Sequence, residues 1–163
     1  MRKRVVLTGC AVLCVLGASE LNAQARVGPQ LSLGSKQDVG LGARLLVNIK
    51  SVEHLAFIGT FDLFFPDDGS YWELNGNVAY SFDITGAPSL SPYVGGGLNI
   101  AHKSHDHHHG HDHHHHDGES DTDLGINLLG GTQFGTGSVN PFVELRIELA
   151  GGEQFVITGG VLF

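Results

Sequence analysis

From Tyr71 to Ile84 the side chains alternate almost without error. Trp72, Leu74, Gly76, Val78, Tyr80, Phe82 and Ile84 share one parity, and Glu73, Asn75, Asn77, Ala79, Ser81 and Asp83 share the other. A period of two with one apolar face is the signature of a strand. Fourteen residues exceed the five or six usual for a globular strand and slightly exceed the ~9–11 that cross a bilayer at a tilt. The stretch therefore predicts a strand whose apolar face meets lipid.

The same rule predicts eight strands: Val27 to Gly34, Val39 to Lys50, His54 to Phe65, Tyr71 to Ile84, Pro92 to His102, Asp123 to Phe134, Pro141 to Leu149 and Gln154 to Phe163. Their apolar parity includes Leu41, Leu45 and Val47, then Phe57, Phe61 and Leu63, then Leu124, Ile126 and Leu128, then Val143, Leu145 and Ile147, and finally Phe155, Ile157, Val161 and Phe163. The facing parity carries Arg44, Asn48, Asp62, Asn127, Gln133, Glu144, Arg146, Glu148 and Thr158. Apolar outside and polar inside inverts a soluble barrel. The expected fold is all-β, an eight-stranded antiparallel up-and-down transmembrane β-barrel. Two strands are weakly marked, because Gly95, Gly96 and Gly97 hide the parity of the fifth and Pro29 interrupts the first.

A secreted β-sandwich or a lipocalin-like barrel would alternate too. Against both stands the row Glu144, Arg146, Glu148 on the face such folds would bury in an apolar core. Trp72, Tyr80, Phe82, Phe134, Phe155 and Phe163 also recur near strand ends, as in interfacial girdles. Within a narrow eight-stranded lumen, Arg44 and Arg146 among Asp62, Glu73, Asp83, Glu144 and Glu148 read as a salt-bridged plug, with a charged water-filled lumen as the plainer alternative.

The amino terminus reads as an export signal. Arg2, Lys3 and Arg4 precede an uncharged apolar run from Val5 to Leu16, and Ala23, Gln24, Ala25 form an A-x-A cleavage site. Residues 1–25 are the expected signal peptide and 26–163 the expected barrel, so the protein is expected to be exported. Cys10 and Cys14 both lie in the signal, so no disulfide is expected in the mature chain. Residues 26–163 hold six basic against sixteen acidic side chains, a formal charge of minus ten. That excess disfavours nucleic acid as a partner and suits metal cations.

The segments PYVGGGLNI at Pro92 to Ile100, PFVELRIEL at Pro141 to Leu149 and TGGVLF at Thr158 to Phe163 resemble small Gram-negative outer membrane β-barrel proteins of the OmpA- and OmpX-like group. The resemblance implies a monomer in outer membrane lipid. It also implies that the last strand, with Gly159, Val161 and the terminal Phe163 on one parity, is read by the barrel assembly machinery. Both termini would lie in the periplasm, placing the long segment 102–122 outside the cell.

That segment carries the candidate chemistry. His102, His105, His107, His108, His109, His111, His113, His114, His115 and His116 are interleaved with Asp106, Asp112 and Asp117, and only His54 lies elsewhere. Imidazole nitrogens suit zinc, nickel or copper, and the carboxylates can add oxygen ligands or orient the rings. The many overlapping ligand combinations predict several exchangeable sites rather than one resident cofactor. A structural or adhesive surface barrel whose loop has no metal role is the alternative, and pH sensing by ten imidazoles is a third reading. Catalysis is not expected: there is no G-x-S-x-G motif, and His54 falls at the periplasmic start of the third strand.

Overall fold

A computed structural model describes residues 25–66, 70–104, 120–135, 137–150 and 153–163. Of the expected signal peptide, residues 1–24 lie outside the described residues, as does most of the histidine segment, 105–119. Eight strands form one closed barrel: β1 (Ala25–Gly34), β2 (Asp38–Asn48), β3 (Leu55–Phe64), β4 (Ser70–Ser81), β5 (Leu90–Ser104), β6 (Ser120–Phe134), β7 (Asn140–Glu148) and β8 (Phe155–Leu162). Each pairs antiparallel with its neighbours in sequence, and β1 closes on β8.

The registers fix the shape of the barrel. Stepping across paired residues from Ala25 to Val47, Phe57, Val78, Gly96, Leu128, Ile147 and Phe155 leads to Ser35, whose amide donates to the Phe155 carbonyl at 2.8 Å. The circuit climbs ten residues along β1. With a rise of ~3.3 Å per residue and strands ~4.8 Å apart, that stagger tilts eight strands by roughly 40°. The seam survives Pro29. Val27 and Phe163 exchange backbone hydrogen bonds at 3.3 and 2.9 Å, and the β1–β8 ladder resumes at Gln30 and Gly160. Between them the proline ring has no N–H to give.

The two parities separate as the alternation requires. Leu31, Leu41, Phe61, Leu74, Leu98, Leu124, Leu128, Val143 and Ile157 all lie on the exposed outer surface. Aromatic side chains mark both ends of this apolar band, with Tyr80, Phe82, Phe134 and Phe163 toward the termini and Phe65 and Phe155 toward the far end. At the strand tilt above, these ends stand roughly 20–25 Å apart.

The lumen is filled in layers. Near the termini, Leu46, Ala56, Ala79, Tyr93, Phe142 and Leu162 form an apolar floor, and Phe64, Tyr71, Ala101 and Val156 pack together toward the far end. Polar and charged side chains occupy the space between.

Three expectations need correction. Asp83 does not line the lumen: β4 stops at Ser81, and Asp83 lies past it with its side chain 85% exposed. Beyond Ser81 the inward parity no longer faces an enclosing wall. The segment 102–122 is shorter as a loop than alternation indicated, because β5 and β6 stay paired out to Ser104 and Ser120. Antiparallel pairing needs no apolar face, so the hairpin continues where the hydrophobic pattern has ended. Asn48 shares the lumen parity but ends β2 and is exposed at the mouth.

Candidate functional site

Two places concentrate chemistry-bearing side chains, the lumen and the far end of the β5–β6 hairpin. In the lumen, alternation on β7 points Glu144, Arg146 and Glu148 inward, all nearly inaccessible to solvent. Arg146 is the hub. Its Nε donates to Glu148 Oε1 at 2.9 Å, its Nη2 donates to Glu73 Oε2 at 2.7 Å, and its Nη1 lies 3.9 Å from Asp62 Oδ2. The carboxylates have further donors. Gln154 Nε2 and the Tyr71 hydroxyl donate to Glu73 Oε1 at 2.6 and 2.7 Å, and Gln30 Nε2 and the Ser32 hydroxyl donate to Asp62 Oδ1 at 2.8 and 3.0 Å.

A second pair sits nearer the termini. Arg44 donates to Glu144 Oε2, which also accepts from the Tyr93 hydroxyl at 2.8 Å, and the Arg44 guanidinium lies 4.2 Å over the Phe142 ring. Alongside, Asn127 Nδ2 donates to Asn75 Oδ1 at 2.7 Å, and Asn75 Nδ2 donates to Thr60 Oγ1 at 3.1 Å. Low dielectric strengthens such charge-assisted bonds and makes their loss costly. Of the lumen charges inferred from sequence, six meet in these two networks: Asp62, Glu73, Arg146 and Glu148 in one, Arg44 and Glu144 in the other.

Alternation could not reveal the donors that complete the networks. Tyr71 carries lumen parity with no charge to mark it as part of a network, and Tyr93 lies beside the glycine run of β5. The space for Tyr93 is made by Gly131, where a Cβ would stand 2.6 Å from the Tyr93 hydroxyl.

At the far end β6 runs on past the end of its ladder with β7 at Asn127 and Glu148. His102 is placed there by its pairing with Thr122 and Trp72. Its ring stacks on Trp72 at 5.3 Å and 28°, and its Nδ1 lies 2.8 Å from Thr122 Oγ1. When Nδ1 carries the proton and donates to Thr122, Nε2 holds the lone pair that a metal would take. The other sequence-derived metal ligands, from His105 to Asp117, are outside the described residues, and among those described no three His, Cys, Asp or Glu side chains group as a metal site.

His54 lies in the turn before β3 with φ 65°, its Nε2 3.6 Å from Asp83 Oδ2 and its ring 5.9 Å from Tyr80. It is at the end that carries the chain termini. Gly159, Val161 and Phe163 fall on the outer parity of the closing strand, and Phe163 is exposed.

No family model matches the sequence, and no curated protein matches it. Solved structures do resemble the barrel. The N-terminal β-barrel domain of Pseudomonas aeruginosa OprF aligns with a TM-score of 0.64 at 14% identity, covering 86% of this chain and 97% of that one. Neisserial surface protein A aligns at 0.59 and 15% identity, covering 85% and 94%. Ail, the attachment invasion locus protein of Yersinia pestis, aligns at 0.59 and 14% identity, covering 85% and 93%. With its closed antiparallel sheet, tilted strands and inverted polarity, the chain has the fold of the small eight-stranded outer membrane β-barrels.

Proposed function

We propose that the protein resides in the outer membrane of a Gram-negative cell and displays a His- and Asp-rich segment that binds transition metal ions at the cell surface. The observation that carries this reading is the position of that segment. It joins the two longest strands, β5 and β6, at the end of the barrel opposite the chain termini. With the termini in the periplasm, as in the sequence reading, that end faces outward. Ten imidazoles and three aspartates between residues 102 and 117 provide overlapping ligand sets for zinc, nickel or copper. They act as a buffer, with no metal required for folding. No enzymatic role is proposed; His54 sits at the opposite mouth among exposed carboxylates. The lumen-exterior inversion supports lipid as the solvent of the barrel wall, and the outward parity of the closing strand supports its reading by the assembly machinery.

Titration calorimetry of the refolded protein with zinc, beside a variant in which residues 105–119 are replaced by a short Gly/Ser connector, tests the metal role. Several sites at micromolar affinity or tighter are expected in the full chain and are expected to be lost in the variant. Equal binding by both would leave a structural or adhesive barrel. Trp72 is the only tryptophan and stacks on His102, so copper bound at His102 should also quench its fluorescence.

The membrane reading has its own test. Leu128 is half exposed on the outer wall of β6. In a bilayer, Leu128→Arg should destabilise the barrel by about 2–4 kcal/mol, as a lipid-facing charge near the midplane does. Urea titration in lipid vesicles measures it. A change within about 0.5 kcal/mol, the usual range for a water-facing surface position, would contradict a lipid-facing wall.

A further inference from the structure

On the side of the chain termini, the lumen opens beyond its apolar floor as a cup. Leu46 and Ala56 of the floor close its base, and it holds about 610 Å³, a volume typical of small-molecule sites. Polar side chains line the rest. Arg26 on β1, Asn48 at the end of β2 and Gln133 on β6 form the wall, and Lys50, His54 and Asp83 stand at the rim, outside the enclosed lumen.

The backbone holds that rim in place. Between β2 and β3 the Ile49 amide donates to the Leu55 carbonyl at 2.8 Å, and the Val52 amide donates to the Ile49 carbonyl at 3.2 Å. The Ser81 amide donates to the His54 carbonyl at 2.8 Å, which ties the turn to β4. His54 therefore keeps a left-handed backbone that few residues other than glycine adopt.

The charges around the cup are segregated. Arg26 and Lys50 belong to the β1–β2 side, and no carboxylate pairs with either among the described residues. On the β3–β4 side His54 Nε2 lies 3.6 Å from Asp83 Oδ2 and 4.0 Å from Glu53 Oε1. A ligand of one sign would meet its own charge on one of these sides. A ligand charged oppositely at its two ends would not.

We propose that the cup binds a small zwitterion with a carboxylate at one end and an ammonium at the other, the chemistry of an amino acid or of a short peptide. Its carboxylate faces Arg26 and Lys50, its ammonium faces Asp83 and Glu53, and its body rests on Leu46 and Ala56. Asn48 and Gln133 offer amide donors and acceptors to the part between. The floor seals the cup from the charged network above it, so the ligand is held at a dead end and not passed through a pore. This site lies at the opposite end of the barrel from the histidine segment and does not depend on a metal role for it.

The probe is the dipeptide alanyl-alanine, titrated into the refolded protein in an uncharged maltoside detergent at low salt, with amide chemical shifts as the readout. A zwitterionic detergent would carry the same pair of charges and compete. Saturable shifts are expected at Arg26, Lys50, His54 and Asp83. N-acetylation or C-amidation of the dipeptide should each weaken binding about two- to fivefold, as removal of one exposed ion pair does, and blocking both ends about tenfold. Arg26→Gln combined with Lys50→Gln should erase the effect of C-amidation, and Asp83→Asn should reduce that of N-acetylation. Free alanine separates the two sources: equal binding assigns an amino acid, and tighter binding of the dipeptide assigns a peptide. Absence of saturable shifts, or equal binding of the doubly blocked dipeptide, would overturn the proposal. So would an acetylated dipeptide that binds as well as the free one, the mark of a plain anion site. The variant lacking 105–119 should bind the dipeptide as wild type does, so this reading and the metal reading can fail separately.

Discussion

Arg146→Met should destabilise the barrel by about 3–5 kcal/mol, the cost of removing one partner from a buried ion network. The size follows from what is left behind. Glu73 and Glu148 lose hydrogen bonds of 2.7 and 2.9 Å, and Asp62 loses its nearest cation. Tyr71, Gln154, Gln30 and Ser32 would still donate to Glu73 and Asp62, but neutral donors do not remove the charge. Methionine fills similar volume, so the loss reports electrostatics more than packing. Urea titration followed by Trp72 fluorescence measures it. Adding Glu73→Gln and Glu148→Gln to the same chain should recover much of the loss, because the carboxylates that need the guanidinium are then gone. A single substitution costing under about 1 kcal/mol would show that Arg146 is dispensable, and with it the assignment of the lumen network as the barrel's electrostatic support.

The legible part of this network was its charge, and the illegible part was its geometry. Glu144, Arg146 and Glu148 alternate on β7 with Val143, Leu145 and Ile147, so the pattern alone assigns them to one face. Asp62 and Glu73 follow for the same reason, and the registers place them directly opposite each other. Which carboxylate each arginine takes depends on the ten-residue stagger, which is set by the sum of all eight registers and cannot be read from any one strand. Asp83 shows the limit of parity. It has the right phase but lies beyond the last paired residue, and phase carries no information about where a wall ends. The far-end hairpin fails in the other direction. From His102 to Ser104 and from Ser120 to Thr122 the residues are polar on both faces, so nothing in hydropathy marks them as strand. His102 itself was legible as a ligand type, whereas its stacking on Trp72 required the β4–β5 register.

Glycine hid the rest, and Gly131→Val should expose how. Gly131 sits on β6 opposite Tyr93 of β5 and Glu144 of β7. A Cβ there would stand 2.6 Å from the Tyr93 hydroxyl, 2.7 Å from its Cζ and 2.5 Å from the Val143 carbonyl oxygen. The ring would have to leave the lumen floor, and its hydroxyl would release Glu144 Oε2. Overpacking costs about 1–3 kcal/mol and a lost hydrogen bond to a charge about 1.5–3 more, so a destabilisation of roughly 3–5 kcal/mol is expected. Urea titration again measures it. Tyr93→Ala in the same background should relieve the side-chain clash but not the contact with the Val143 carbonyl, and so recover only part. If Gly131→Val were neutral, Tyr93 would not be held where its hydroxyl meets Glu144. The glycines of β5 and β6 thus mark places where neighbouring backbone or side chains come closer than a Cβ would allow. A run such as Gly95 to Gly97 erases parity in the sequence because the space it leaves is filled from other strands: at Gly95 a Cβ would press on Ala79, and at Gly97 it would lie 2.6 Å from Asn77 Oδ1.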